Sequence, residues 1–107
     1  MSSNQNIVDF VVEQMAGAGV VSAKKMFGDF GVFCDGKMVA IIGDDRLFVK
    51  PTAAGRAFLG AVEEVSPFAG AKKYFLISGE KWDDSEWLRE LIRLTSAELP
   101  LPTKKKK

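Results

Sequence analysis

The stretch from Lys24 to Lys50, KKMFGDFGVFCDGKMVAIIGDDRLFVK, permits very few folds. Short apolar segments alternate within it with Gly28-Asp29, Asp35-Gly36 and Asp44-Asp45. Asp-Gly between apolar residues suits a tight hairpin turn, because both central positions of that turn need φ > 0. The segment is therefore predicted to fold as an antiparallel meander with a definite register. A two-residue loop at Asp35-Gly36 pairs Cys34 with Lys37, Phe33 with Met38 and Val32 with Val39. A loop at Asp44-Asp45 pairs Ile42 with Leu47 and Ile41 with Phe48. One at Gly28-Asp29 pairs Phe27 with Phe30.

Directly opposed residues share a face of a sheet. One face is then expected to carry Phe27, Phe30, Val32, Cys34, Val39, Ile41 and Phe48. The other carries Met26, Phe33, Met38, Ala40, Ile42, Leu47 and Val49. An antiparallel sheet with a wet side alternates apolar with polar residues, and here both sides are apolar. Each needs a covering, from helices on both sides or from a second copy of the chain. Burying four or five more large side chains at roughly 25 cal/mol per Å² contributes several kcal/mol, whereas leaving them wet makes an adhesive patch. The candidate interface is Phe27, Phe30, Val32, Val39, Ile41 and Phe48, and a homodimer is the expected partner arrangement.

Helices flank the meander. The first is expected over about Asn4 to Ala16, capped by Ser3 or Asn4, with Ile7, Phe10, Val11 and Met15 as its inward stripe. Gly17 and Gly19 stop it. Thr52 caps a second helix over about Ala53 to Val62, and Glu64 to Ala71 reads as a loop. Lys72 to Ser78 is a further strand. The last helix spans about Asp84 to Leu99, with Asp83 and Glu86 at capping-box spacing and Trp87, Leu88, Leu91, Ile92 and Thr95 facing inward. The order is α, three or four strands, α, β, α, which is an α+β domain over residues 1–99. Residues 100–107 are expected to be a disordered Pro/Lys tail.

Composition narrows the chemistry. A chain of 107 residues with 47% hydrophobic and 27% charged residues is an ordinary single globular domain. No apolar run reaches the roughly 20 residues that cross a bilayer, and the N-terminus lacks a signal peptide's basic start and apolar stretch. The cytoplasm is the expected location, with no membrane partner. One cysteine and no histidine leave no disulfide, no usual zinc site and no Ser-His or Cys-His nucleophile pair. No cofactor, metal or catalytic residue is expected. Setting aside Lys104 to Lys107, eleven basic residues stand against fourteen acidic ones, a net of −3. That sign suits a phosphate backbone poorly.

Several features imitate functional motifs. Asp29-Phe30-Gly31 resembles a kinase metal-binding triplet but falls at a hairpin turn. Asp35, Asp44 and Asp45 are turn carboxylates at opposite ends of one strand. Glu80, Asp83, Asp84 and Glu86 suit a helix start. Cys34 reads as a small buried hydrophobe. Lys24-Lys25 and Lys72-Lys73 are the internal basic pairs; side by side they would form a weak nucleic-acid contact, and otherwise they protect strand edges. Trp82 and Trp87 flank the last helix, where packing competes with binding a ligand ring.

Taken together, Met26-Phe27-Gly28-Asp29-Phe30-Gly31-Val32-Phe33, Asp35-Gly36-Lys37-Met38-Val39-Ala40-Ile41-Ile42 and Asp45-Arg46-Leu47-Phe48-Val49-Lys50 resemble the N-terminal domain of the TfoX/Sxy family. Lys73-Tyr74-Phe75 and Trp87-Leu88 extend the likeness to about residues 8 to 98. The resemblance implies a secretion-chaperone-like α+β fold and a regulatory association. Full-length members promote natural competence with the cyclic-AMP receptor protein and carry a second, C-terminal domain; this sequence matches the first. The resemblance supplies no catalytic residues. The expectation is a non-enzymatic regulatory or protein-interaction domain, with nucleic-acid binding or small-ligand binding as alternatives.

Overall fold

A computed structural model describes residues 5–26, 29–43, 45–67, 70 and 72–99. The described residues form three helices, α1 (Gln5–Met15), α2 (Ala53–Leu59) and α3 (Ser85–Glu98), and a 3-10 turn at Gly79–Asp83. Their strands are β1 (Val21–Met26), β2 (Asp29–Cys34), β3 (Lys37–Gly43), β4 (Arg46–Val49), β5 (Glu64–Val65) and β6 (Tyr74–Ile77). All join one antiparallel sheet in the order β1-β2-β3-β4-β6-β5. The α+β expectation holds, and the meander occupies the first four places. Strand β5 was not expected, since two residues beside Pro67 carry too little pattern to stand out from a loop. The expected tail, residues 100–107, lies outside the described residues.

The turns set the register. Asp35 and Gly36 adopt φ of 53° and 84°, the left-handed backbone that an Asp-Gly hairpin needs. Cys34 pairs with Lys37 and Phe33 with Met38, as expected. Val32, however, pairs with Ala40 rather than Val39, because the register shifts between Val32 and Phe33 and leaves Val39 as an extra residue. Such a bulge reverses the facing of everything beyond it relative to the unbulged side. The β3–β4 pairs Ile42–Leu47 and Ile41–Phe48 are those expected. The β1–β2 register differs by one residue from that expected: Met26 pairs with Asp29 and Lys25 with Phe30, and Phe27 and Gly28 fall outside the described residues.

All three helices pack on one side. Val8, Val11 and Met15 of α1 and Leu88, Leu91 and Ile92 of α3 share a buried core with Phe30, Val32, Cys34, Val39, Ala40, Ile42, Leu47, Val49, Phe75 and Ile77. The inward stripe of α1 is therefore centred on Val8, Val11 and Met15, with Ile7 at its margin. Phe10 lies about 130° from that centre at roughly 100° per residue, and it is exposed rather than inward. Thr52 caps α2 as expected, its hydroxyl accepting from Gly55 N at 2.9 Å. Gly60, at φ 71°, ends that helix before Val62. Asp84, not Asp83, caps α3, accepting from Trp87 N at 3.1 Å. The 3-10 turn takes up Asp83 and moves the cap one residue on.

Candidate interaction face

The row of directly opposed residues Lys24–Gly31–Ile41–Phe48–Leu76 runs across five strands on the side away from the helices. Ile41, Phe48 and Tyr74 are buried there as a second cluster, with Met38, Val65 and Leu76 packed partly buried around them. No helical residue belongs to this cluster among the described residues. Arg46 lays its guanidinium 5.1 Å from the Phe48 ring centre, a cation–π contact that leaves the charge at the edge of the face. Asp29 stands near the same edge, its carboxylate passing over Gly43, where an added Cβ would meet it at 2.8 Å. The face thus has an apolar centre and a rim of both signs.

The bulge divides the candidate interface. Phe30, Val32 and Val39 belong to the helix-covered core, while Ile41 and Phe48 lie on the opposite face. The six residues therefore do not form one surface, and Phe27 lies outside the described residues. The residues that join Ile41 and Phe48 are Met38, Tyr74 and Leu76, with Val65 from β5. The unbroken run Tyr74-Phe75-Leu76-Ile77 could have shown that the last strand serves both faces; which strand it would lie beside had no signal in the sequence.

The lysine pairs are not brought together. Lys24 and Lys25 sit on β1 at one edge of the sheet, and Lys72 and Lys73 lead into β6, four strands away, roughly 19 Å at 4.8 Å per strand. Lys24 pairs with Gly31 and Lys25 with Phe30, so the two also point to opposite faces. Edge protection suits Lys24 and Lys25 on the edge strand β1, whereas β6, which Lys72 and Lys73 precede, lies between β4 and β5.

Other candidates have structural partners. Cys34 is fully buried; burial pushes its thiol pKa up, partly offset by a hydrogen bond with Ser96, so the net shift favours the thiol over the nucleophilic thiolate. Asp35 Oδ1 accepts from Val20 N at 2.8 Å, tying the β2–β3 turn to the chain entering β1. Asp45, at φ 58°, occupies the β3–β4 turn, at the other end of β3 from Asp35. Among the described residues, no group of three His, Cys, Asp or Glu side chains is placed to hold a metal ion. Nor is any of their helices long and apolar enough to cross a membrane.

An antiparallel sheet with every helix on one side and a mixed apolar–charged surface on the other defines the class of this α+β domain. The chain belongs to the TfoX N-terminal domain family, whose model matches residues 13–99. It is also 33% identical over 106 residues to the "Uncharacterized 12.7 kDa protein in trpE 5′ region" of Spirochaeta aurantia, covering 99% of this chain and 91% of that relative.

Proposed function

We propose that this chain is a non-enzymatic regulatory module that acts by protein contact in the cytoplasm, pairing with a second copy through its helix-free sheet face. The observation that carries the reading is the second apolar cluster of Ile41, Phe48 and Tyr74, which no helix covers among the described residues. Met38, Val65 and Leu76 extend that cluster outward while staying partly exposed, so a partner removes further apolar area from water. Asp29, Lys24 and Arg46 put charges of both signs on the rim, which suits an isologous contact in which a two-fold axis sets unlike charges against each other. The regulatory part of the proposal follows from the family, and the cytoplasmic part from a lone buried thiol rather than a disulfide framework.

Size-exclusion chromatography with light scattering tests the pairing. A dimer is expected at micromolar concentration, and Met38→Glu is expected to yield a folded monomer. A wild-type chain that stays monomeric throughout would remove the reading.

A further inference from the structure

A cleft of about 340 Å³ opens on the sheet's other edge, where β5 and β6 part. Strand β5 pairs with Tyr74 and Phe75. Leu76 N still donates to Glu63 O at 2.9 Å, but beyond it the chain at Ala61 and Val62 stands off from Ile77 and Ser78 and leaves the gap. Leu59 at the end of α2, Val62, Leu76 and Trp87 of α3 supply apolar walls. The Trp87 ring centre stands 5.6 Å from that of Phe58, and the Lys81 ammonium lies 5.3 Å from the Trp87 ring centre. The volume falls at the lower end of the roughly 300–1,000 Å³ found for small-molecule sites.

Two opposite charges line this apolar space, Lys81 from the 3-10 turn and Glu63 from the segment before β5. Neither forms an ion pair among the described residues. Trp82 is differently placed: its indole N–H donates to Ile77 O at 3.2 Å and its own carbonyl accepts from Gln14, so it packs the core and does not line the cleft. A ligand carrying only an anion would meet Lys81 favourably and Glu63 unfavourably, and one carrying only a cation the reverse. A molecule with both charges and an apolar body satisfies both and lays its body on Trp87. We infer that the cleft binds a small zwitterion with an apolar body, the chemical class of the apolar amino acids.

The test is a titration of the full chain followed by NMR at the two indole N–H groups. Three probes are used: L-phenylalanine, 3-phenylpropionate lacking the ammonium, and phenethylamine lacking the carboxylate. Phenylalanine is expected to shift the Trp87 signal saturably and leave Trp82 in place, with each analogue at least about 10-fold weaker, a difference of about 1.4 kcal/mol. Lys81→Met and Glu63→Gln, both surface changes, are expected to weaken phenylalanine by a similar factor while the spectrum stays dispersed. Analogues that bind as tightly as phenylalanine, variants that bind unchanged, or no saturation by about 10 mM would each overturn the inference. The titration runs equally on the Met38→Glu chain, so its outcome is separate from that of pairing.

Discussion

The two faces of the sheet begin from similar side chains and end in different states. On the helix-covered face, Ile42, Leu47, Val49 and Phe75 meet α1 and α3 and are fully buried. On the other, Ile41, Phe48 and Tyr74 are buried chiefly by one another, by their half-buried neighbours and by the Arg46 guanidinium. Neither face is bare and charged. The large apolar side chains most open to water among the described residues, Phe10 and Val20, belong to α1 and the turn before β1 rather than to the sheet's open side. Apolar composition thus states that a surface must be covered, whereas helix placement states which surface is covered from within the chain.

Core packing gives the largest way to break this comparison. Leu91→Ala, in the covered layer, is expected to cost about 2–5 kcal/mol in denaturant unfolding, with no change of oligomeric state. An equal loss from Met38→Ala, which is half-exposed on the open face, would abolish the distinction between the two sides. Gly55 comes next. A Cβ there would meet Thr52 Oγ1 at 2.8 Å and Phe75 at 3.4 Å, so Gly55→Ala is expected to cost about 1–3 kcal/mol by overpacking the seam between α2 and the covered face. Asp84→Ala removes the α3 cap and is expected to cost about 1 kcal/mol.

The smallest effect is electrostatic and sharpens how the helical layer is closed. Glu98 at the end of α3 accepts from Ala54 N at 2.9 Å and from Ala53 N at 2.8 Å, binding α3 to the start of α2. Those two N–H groups hold its carboxyl below the usual glutamate range, as the Arg56 guanidinium does for Glu64. A carboxylate depressed in the folded state contributes stability above its unfolded pKa and loses it as pH falls through the folded value. Stability should therefore decline from about pH 4.5 downward, and thermal melts of Glu98→Gln should show a shallower acid slope than wild type. An unchanged slope would mean that the α2–α3 junction does not sense protonation.

Much of the fold was legible in the residues. Asp35-Gly36 announced its hairpin because few other dipeptides tolerate φ > 0 twice in succession, and Thr52 marked the start of α2 because its hydroxyl accepts a backbone N–H that would otherwise be free. The two-sided apolar sheet was likewise readable. Three features were not. The bulge at Val39 has no local signature, yet it moved Ile41 and Phe48 to the face opposite Val32. The cap of α3 shifted from Asp83 to Asp84, since both residues can cap and the 3-10 turn chose between them. The wide separation of the lysine pairs depends on β6 lying beside β4, a long-range pairing.

Turn chemistry, helix caps and apolar content are local properties, and the chain alone determined them through backbone sterics and the cost of leaving polar groups unpaired. The tertiary structure decided which side of the sheet took the helices, which side chains were turned to the other, and where the cleft beside Trp87 opened. Those outcomes rest on strand order and on one extra residue in β3, and with a side-chain period of two a shift of a single position exchanges one face for the other.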